Sequence, residues 1–262
     1  MMTDEQRFLF DLQGYLLVPG VLDGATIARM LAQMDAHSVN PPEDGSDNYR
    51  FGDFLQWSKD YRNLVDHPTL LPILAELLGP KFRLDHAYGM ATRPGKGATS
   101  EPSGYTLHHT AGMFEHGCYY VTHGSRMHNG LIVVSWALTD IAGGAGGFCC
   151  IPGSHKAVFP MPRDYFTIDG NPLVHQVPQK AGDVVIFTEA LTHGTWPWTD
   201  PNGRRRSVLL KYAPHYMQWG QKPMDADAVP GLSERQRLLL EGAYVWQRPA
   251  LPQTDAQPMA RP

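Results

Sequence analysis

From Phe82 onward the chain runs in short β-type segments, and this rhythm limits the folds open to it. FRLDHAYGM, GYTLHH, CYYVTH, GLIVVSWAL, GGFCCIP, DVVIFTEAL and RRSVLLKYAP follow one another between Gly, Pro and Asp punctuation, with no helical period between most of them. Short strands joined without helices close as an antiparallel sandwich or barrel. The first 80 residues read differently. EQRFLFDLQG predicts a helix, and YLLVPGVL a short strand punctuated by Pro19 and Gly20. ATIARMLAQMDAH carries Ile27, Met30, Leu31 and Met34 at helical spacing, and HPTLLPILAELLG predicts a further helix stopped by Gly79 and Pro80. The run VNPPEDGSDNYRFGD reads as a surface loop, and the tail from Pro249 as disordered. The expected plan is a single domain over 1–248, with a helical part at about 1–80, a β-core at about 82–216 and a loose tail at 249–262.

Bulk properties exclude some functions. A net charge of −4 with no basic run gives no reason to expect nucleic acid or an anionic membrane as partner. No stretch approaches the roughly 18 apolar residues of a membrane span, and the start lacks a positive segment followed by a long apolar one. Cys118, Cys149 and Cys150 do not make a disulfide framework; the adjacent pair is expected on opposite faces of a strand. The expectation is a reduced, cytoplasmic protein.

The chemistry concentrates on two histidines. His108 ends a predicted strand in TLHHT, and His193 lies on another in EALTHGT. Neutral imidazole is a good transition-metal ligand, although a lone strand histidine is more often structural. Beyond His193, Arg205 opens the apolar strand RRSVLLKY, and period-two alternation puts Ser207 on the same face. A guanidinium fork plus a hydroxyl suits a carboxylate. Two strand histidines followed by such a pair suggest a mononuclear iron barrel that chelates a keto acid.

Over about residues 8–216 the chain resembles the phytanoyl-CoA dioxygenase family of iron(II)/2-oxoglutarate oxygenases. GYLLVPGVLDGATI is similar to that family's opening, DHPTLLPILAELLG to its helical segment, and LIVVSWALTD followed by GGFCCIPGSHK to its inner strand and PGSH turn. TLHHT and THGT stand where the family has Leu-His-x-Asp and a distal His-Gly-Ser/Thr. The resemblance implies a mainly β fold with flanking helices: a double-stranded β-helix, or cupin-like jelly roll, under an N-terminal helical layer. It implies His108 and His193 as iron ligands and catalytic residues with Arg205, which anchors the distal carboxylate of 2-oxoglutarate. Arg204 and Arg206 are the alternatives for that anchor, Arg206 facing the other side of the strand. Thr195, Trp136 and Met90 match positions near the co-substrate, and Ser207 completes the clamp. His155 is expected to be structural. The insert between the metal motif and the next strand is where substrate contacts are expected, with Glu115, Arg126, His128 and Asn129 as candidates.

One position breaks the pattern. Where the family has aspartate, two residues after the first histidine, this chain has Thr110. Four accounts remain open. Chloride fills the coordination position and the enzyme halogenates; water or a side chain such as Glu115 or His109 completes the shell and the enzyme hydroxylates or desaturates; a different metal or chemistry operates; or the chain binds a small molecule without turnover. The favoured expectation is oxidation of an aliphatic C–H bond of a small-molecule substrate, using Fe(II), 2-oxoglutarate and O2.

Overall fold

The computed structural model describes residues 1–37, 39, 47–94, 107–108, 117–201 and 203–252. Helix α1 (Asp4–Gln13) is started by a Thr3/Gln6 capping box and ended by Gly14 in the left-handed conformation at φ 82°. Strand β1 (Tyr15–Val18) leads to α2 (Gly24–Ala36), which Asp23 caps. After β2 (Asn48–Phe51) come two further helices, α3 (Lys59–Arg62) and α4 (Leu71–Leu78). The β-rich part follows: β3 (Arg83–Thr92), β4 (Tyr120–His123), β5 (Arg126–Asn129), β6 (Ile132–Ala137), β7 (Gly147–Cys150), β8 (His175–Gln176), β9 (Val184–Thr188), β10 (His193–Trp196) and β11 (Arg205–Ala213). Helix α5 (Glu234–Leu240) closes the described chain.

The strands make a six-stranded sheet in the order β1-β9-β6-β11-β3-β2, a three-stranded sheet β10-β7-β8, and the separate hairpin β4-β5. Every pairing is antiparallel. The major sheet sorts its side chains by parity. Val134, Trp136, Ile186, Val208 and Leu210 join Met30 and Met34 of α2 and Leu74 and Leu77 of α4 in the main apolar core. Val133, Val185 and Phe187 point the other way, onto Phe148 and Cys150 of the minor sheet and Val177 just past its β8. This is the jelly roll expected above: two facing sheets with helices outside the larger one.

Three expectations change. The run predicted as loop contributes β2, which pairs with β3 at the sheet edge. Its Phe51 ring lies where a side chain at position 89 would stand, 2.0 Å from an added Cβ, so Gly89 is required there. The helix α5 carries its own signal, a Ser233/Gln236 capping box, in a segment where no element was expected. The chain past Pro249 is packed as far as Pro252: Leu251 is buried and its N–H donates to the Pro80 carbonyl at 2.8 Å. Nearby, the fully buried Arg248 donates to the carbonyls of Lys81, Gly242 and Leu238. The part of the predicted tail at 253–262 lies outside the described residues.

Cys149 and Cys150 do face opposite ways, Cys150 between the sheets and Cys149 against Leu107 and Ile168. All three cysteines are free and buried, and burial pushes the Cys149 thiol up to about 12. No helix among the described residues is long and apolar enough to cross a membrane.

Candidate active site

Between the sheets lies a cavity of about 90 Å³ whose lining includes His108, His193, Thr195, Met90, Arg205 and Ser207. Strand pairing brings the histidines together. His108 N–H donates to the His193 carbonyl at 2.9 Å and His193 N–H to the His108 carbonyl at 3.2 Å, an isolated antiparallel bridge. Residues directly opposite on such a ladder share a face, and the two rings stand 4.1 Å apart between centroids at 60°. His108 is exposed, whereas His193 is 6 % exposed and flanked by Phe148 and Phe187. The Leu191 carbonyl accepts from His193 Nδ1 at 2.6 Å. A carbonyl only accepts, so Nδ1 carries a proton, and in the neutral imidazole the lone pair is then on Nε2, a tautomer that can ligate a metal.

Strand β11 supplies the opposite wall. Arg205, Ser207, Leu209 and Lys211 alternate into the cavity. Ser207 is opposite Met90 on one side and Ala137 on the other, and Arg205 is opposite Thr92. The guanidinium passes over Gly147, where an added Cβ would approach Arg205 Nη1 to 3.3 Å. Gly147 has φ 90°, a conformation that glycine adopts freely. The arginine triplet is thereby sorted: Arg205 is buried, Arg204 is exposed, and Arg206 crosses the outer face to pair with Asp35 of α2 at 2.5 Å.

Other expected residues lie elsewhere. Trp136 is fully buried on the outer face of β6, in the main core, with its ring 5.5 Å from that of His67. The parity that sends Ser135 into the cavity turns Trp136 away from it. Arg126, His128 and Asn129 border a different depression of about 410 Å³, between α4 and β5. There the Asn129 side chain donates to the Leu77 carbonyl at 3.2 Å, a helix-end contact. Glu115, His109 and Thr110 lie outside the described residues. His155 is structural, as expected: it is buried under α1, bonded to the Asp11 carbonyl, and burial pushes its pKa down to about 4.

The cavity also holds residues that motif reading passed over, namely Tyr88, Gln179, Glu189 and Lys211. Lys211 and Glu189 form a buried ion pair, with side chains 15 % and 2 % exposed. Burial works against the Lys211 charge, yet Glu189 beside it prevails and raises the ammonium's pKa. Lys211 was legible from the alternation that gave Ser207; Glu189, four residues before His193, had no such signal.

Among the described residues no group of three or more His, Cys, Asp or Glu side chains is placed to hold a metal. Among the described residues the candidate donors are the two imidazoles, beside a buried guanidinium and hydroxyl. Such a set fits a divalent transition metal together with a carboxylate-bearing chelator.

A family model for phytanoyl-CoA dioxygenase (PhyH) matches residues 10–206. Comparison with curated protein sequences finds no match. Among solved structures, HygX from Streptomyces hygroscopicus, with nickel and 2-oxoglutarate bound, is 24% identical over 87% of this chain and 94% of its own, with a TM-score of 0.71. SnoN, a non-heme alpha ketoglutarate dependent epimerase from nogalamycin biosynthesis, is 22% identical over 88% of this chain and 90% of its own, at 0.60. SnoK, a carbocyclase from the same biosynthesis, is 19% identical over 84% and 88%, at 0.59. These likenesses establish the shared fold.

Proposed function

The chain belongs to the phytanoyl-CoA dioxygenase family, and from that premise we propose that it is an Fe(II)/2-oxoglutarate-dependent oxygenase that oxidises an aliphatic C–H bond of a small molecule. The observation that carries this reading is the single cavity joining a facing histidine pair to a buried Arg-Ser clamp. His108 and His193 hold the iron in this reading. When bound, the metal supplies the activation of O2, with 2-oxoglutarate as the reductant.

The protein's own part is binding and orientation. Arg205 and Ser207 anchor the distal carboxylate of 2-oxoglutarate through charge-assisted hydrogen bonds that gain strength from burial. Thr195 and Met90 limit the co-substrate's position from the neighbouring strands. Phe148 and Phe187 flank His193 and keep water from it, which suits a reaction at an unactivated C–H bond. HygX has been solved with hygromycin B and SnoN with nogalamycin RO, which supports a small-molecule substrate here.

Halogenation is a second reading, favoured by Thr110 standing where the family has aspartate. The test for both is an anaerobic titration of the apo-protein with Fe(II), then 2-oxoglutarate, with and without chloride, following the visible metal-to-ligand charge-transfer band. A band that requires both iron and 2-oxoglutarate is expected. A chloride-dependent shift moves halogenation to first place, and the absence of any band from folded protein removes the oxygenase reading.

A further inference from the structure

Gln179 lies where the chain crosses from the minor to the major sheet, and its backbone makes an isolated bridge with Ile141. The bridge locates it. Gly147 lies in contact with both Ile141 and the Arg205 guanidinium, its added Cβ standing 3.0 Å from Ile141 Cγ2 and 3.3 Å from Arg205 Nη1. Gln179 therefore belongs to the Arg205 end of the cavity, which it also lines. The residue is 5 % exposed. Among the described residues its Oε1 has no hydrogen-bond partner, and its Nε2 has only the Val177 carbonyl, at 3.4 Å, the outer limit of such a bond.

A buried carboxamide with half its capacity unmet is costly unless something in the cavity completes it. The adjoining occupant in the reading above is a carboxylate, which is acceptor-only at neutral pH. A half-turn of the amide exchanges Oε1 and Nε2, gives up only the long Val177 contact, and presents an N–H₂ donor to that carboxylate. We propose that Gln179 is a third anchor for the distal carboxylate of 2-oxoglutarate, acting with Arg205 and Ser207. This rests on the oxygenase reading. A neutral amide beside a guanidinium adds a directional donor without a second positive charge, so the clamp selects a five-carbon dicarboxylic keto acid by geometry as well as by charge.

The test compares two keto acids on the Fe(II)-loaded protein: 2-oxoglutarate and 2-oxopentanoate, the same chain with a methyl in place of the distal carboxylate. Binding is read by the charge-transfer band and by calorimetry, without turnover. Gln179→Leu is expected to weaken 2-oxoglutarate about ten-fold while changing 2-oxopentanoate less than about two-fold. Gln179→Glu, which keeps the shape but places carboxylate against carboxylate, is expected to weaken 2-oxoglutarate further, with 2-oxopentanoate again spared. Equal weakening of both keto acids would mean a structural role and overturns the proposal, as does unchanged 2-oxoglutarate affinity. If the wild-type protein binds no 2-oxoglutarate, the oxygenase reading itself fails, an outcome separable from the others because the variants then have nothing to lose.

Discussion

The six-stranded sheet is buried on both faces, by helices outside and by the minor sheet within, whereas the three-stranded sheet has strands of four, two and four residues and a small cluster behind it. The heavy sheet carries Arg205, Ser207 and the Lys211–Glu189 pair; the light one carries His193. In the proposed reading the carboxylate clamp is thus built into the larger, doubly covered sheet, and a metal donor into the smaller one. Removing a donor should therefore cost chemistry, and removing a group from the heavy sheet should cost stability or co-substrate affinity.

The sharpest way to break this contrast is His193→Ala. It is expected to lower Fe(II) affinity by more than about 100-fold while the protein remains folded, as read by metal analysis after desalting and by circular dichroism. Loss of the fold would show that the minor sheet depends on that imidazole. Next is Arg205→Ala, expected to raise the 2-oxoglutarate requirement roughly 10- to 100-fold, with Arg205→Lys recovering only part because the bidentate fork is gone. Unchanged 2-oxoglutarate dependence would remove Arg205 as the anchor.

Stability predictions follow for the heavy sheet. Lys211→Met strips the ammonium from a buried carboxylate and should cost about 3–5 kcal/mol, while the Glu189→Gln/Lys211→Met double variant should recover much of it. Denaturant unfolding checks both, and additive losses would mean the two groups do not act as a pair. Outside the heavy sheet, His155 gives a pH dependence. Its folded pKa, about 4, lies below the ordinary value of 6.5, so the unfolded chain takes up the proton first as pH falls. Its contribution is intact above about 6.5 and is lost progressively down to about 4. The melting temperature should fall across that window, less steeply in His155→Asn. The smallest effect is expected for Arg206→Ala, no more than about 1 kcal/mol, because Asp35 is 62 % exposed.

Much of the site was legible because strands repeat every two residues. Given Arg205 as an inward residue, Ser207 and Lys211 follow, and Arg206 must point out. The histidines were legible as strand residues of a metal-binding type in a familiar pattern. Trp136 was misread because parity says which residues share a face, and not which face meets the cavity. Arg126, His128 and Asn129 were misplaced for another reason: lying in the insert does not say which way the β4-β5 hairpin folds, and it lies against α4.

By itself, then, the sequence determined the antiparallel architecture and the helical layer, and it singled out candidate residues whose chemistry suits a metal and a carboxylate, since these depend on local periodicity and side-chain chemistry. Only the tertiary structure decided that Asn48–Phe51 joins the sheet, that Leu251 docks on Pro80, and that Gln179, Glu189 and Lys211 share a cavity with the histidines. Those outcomes rest on contacts between residues far apart in the chain, where burial and hydrogen-bond completion, and no local pattern, select the partner.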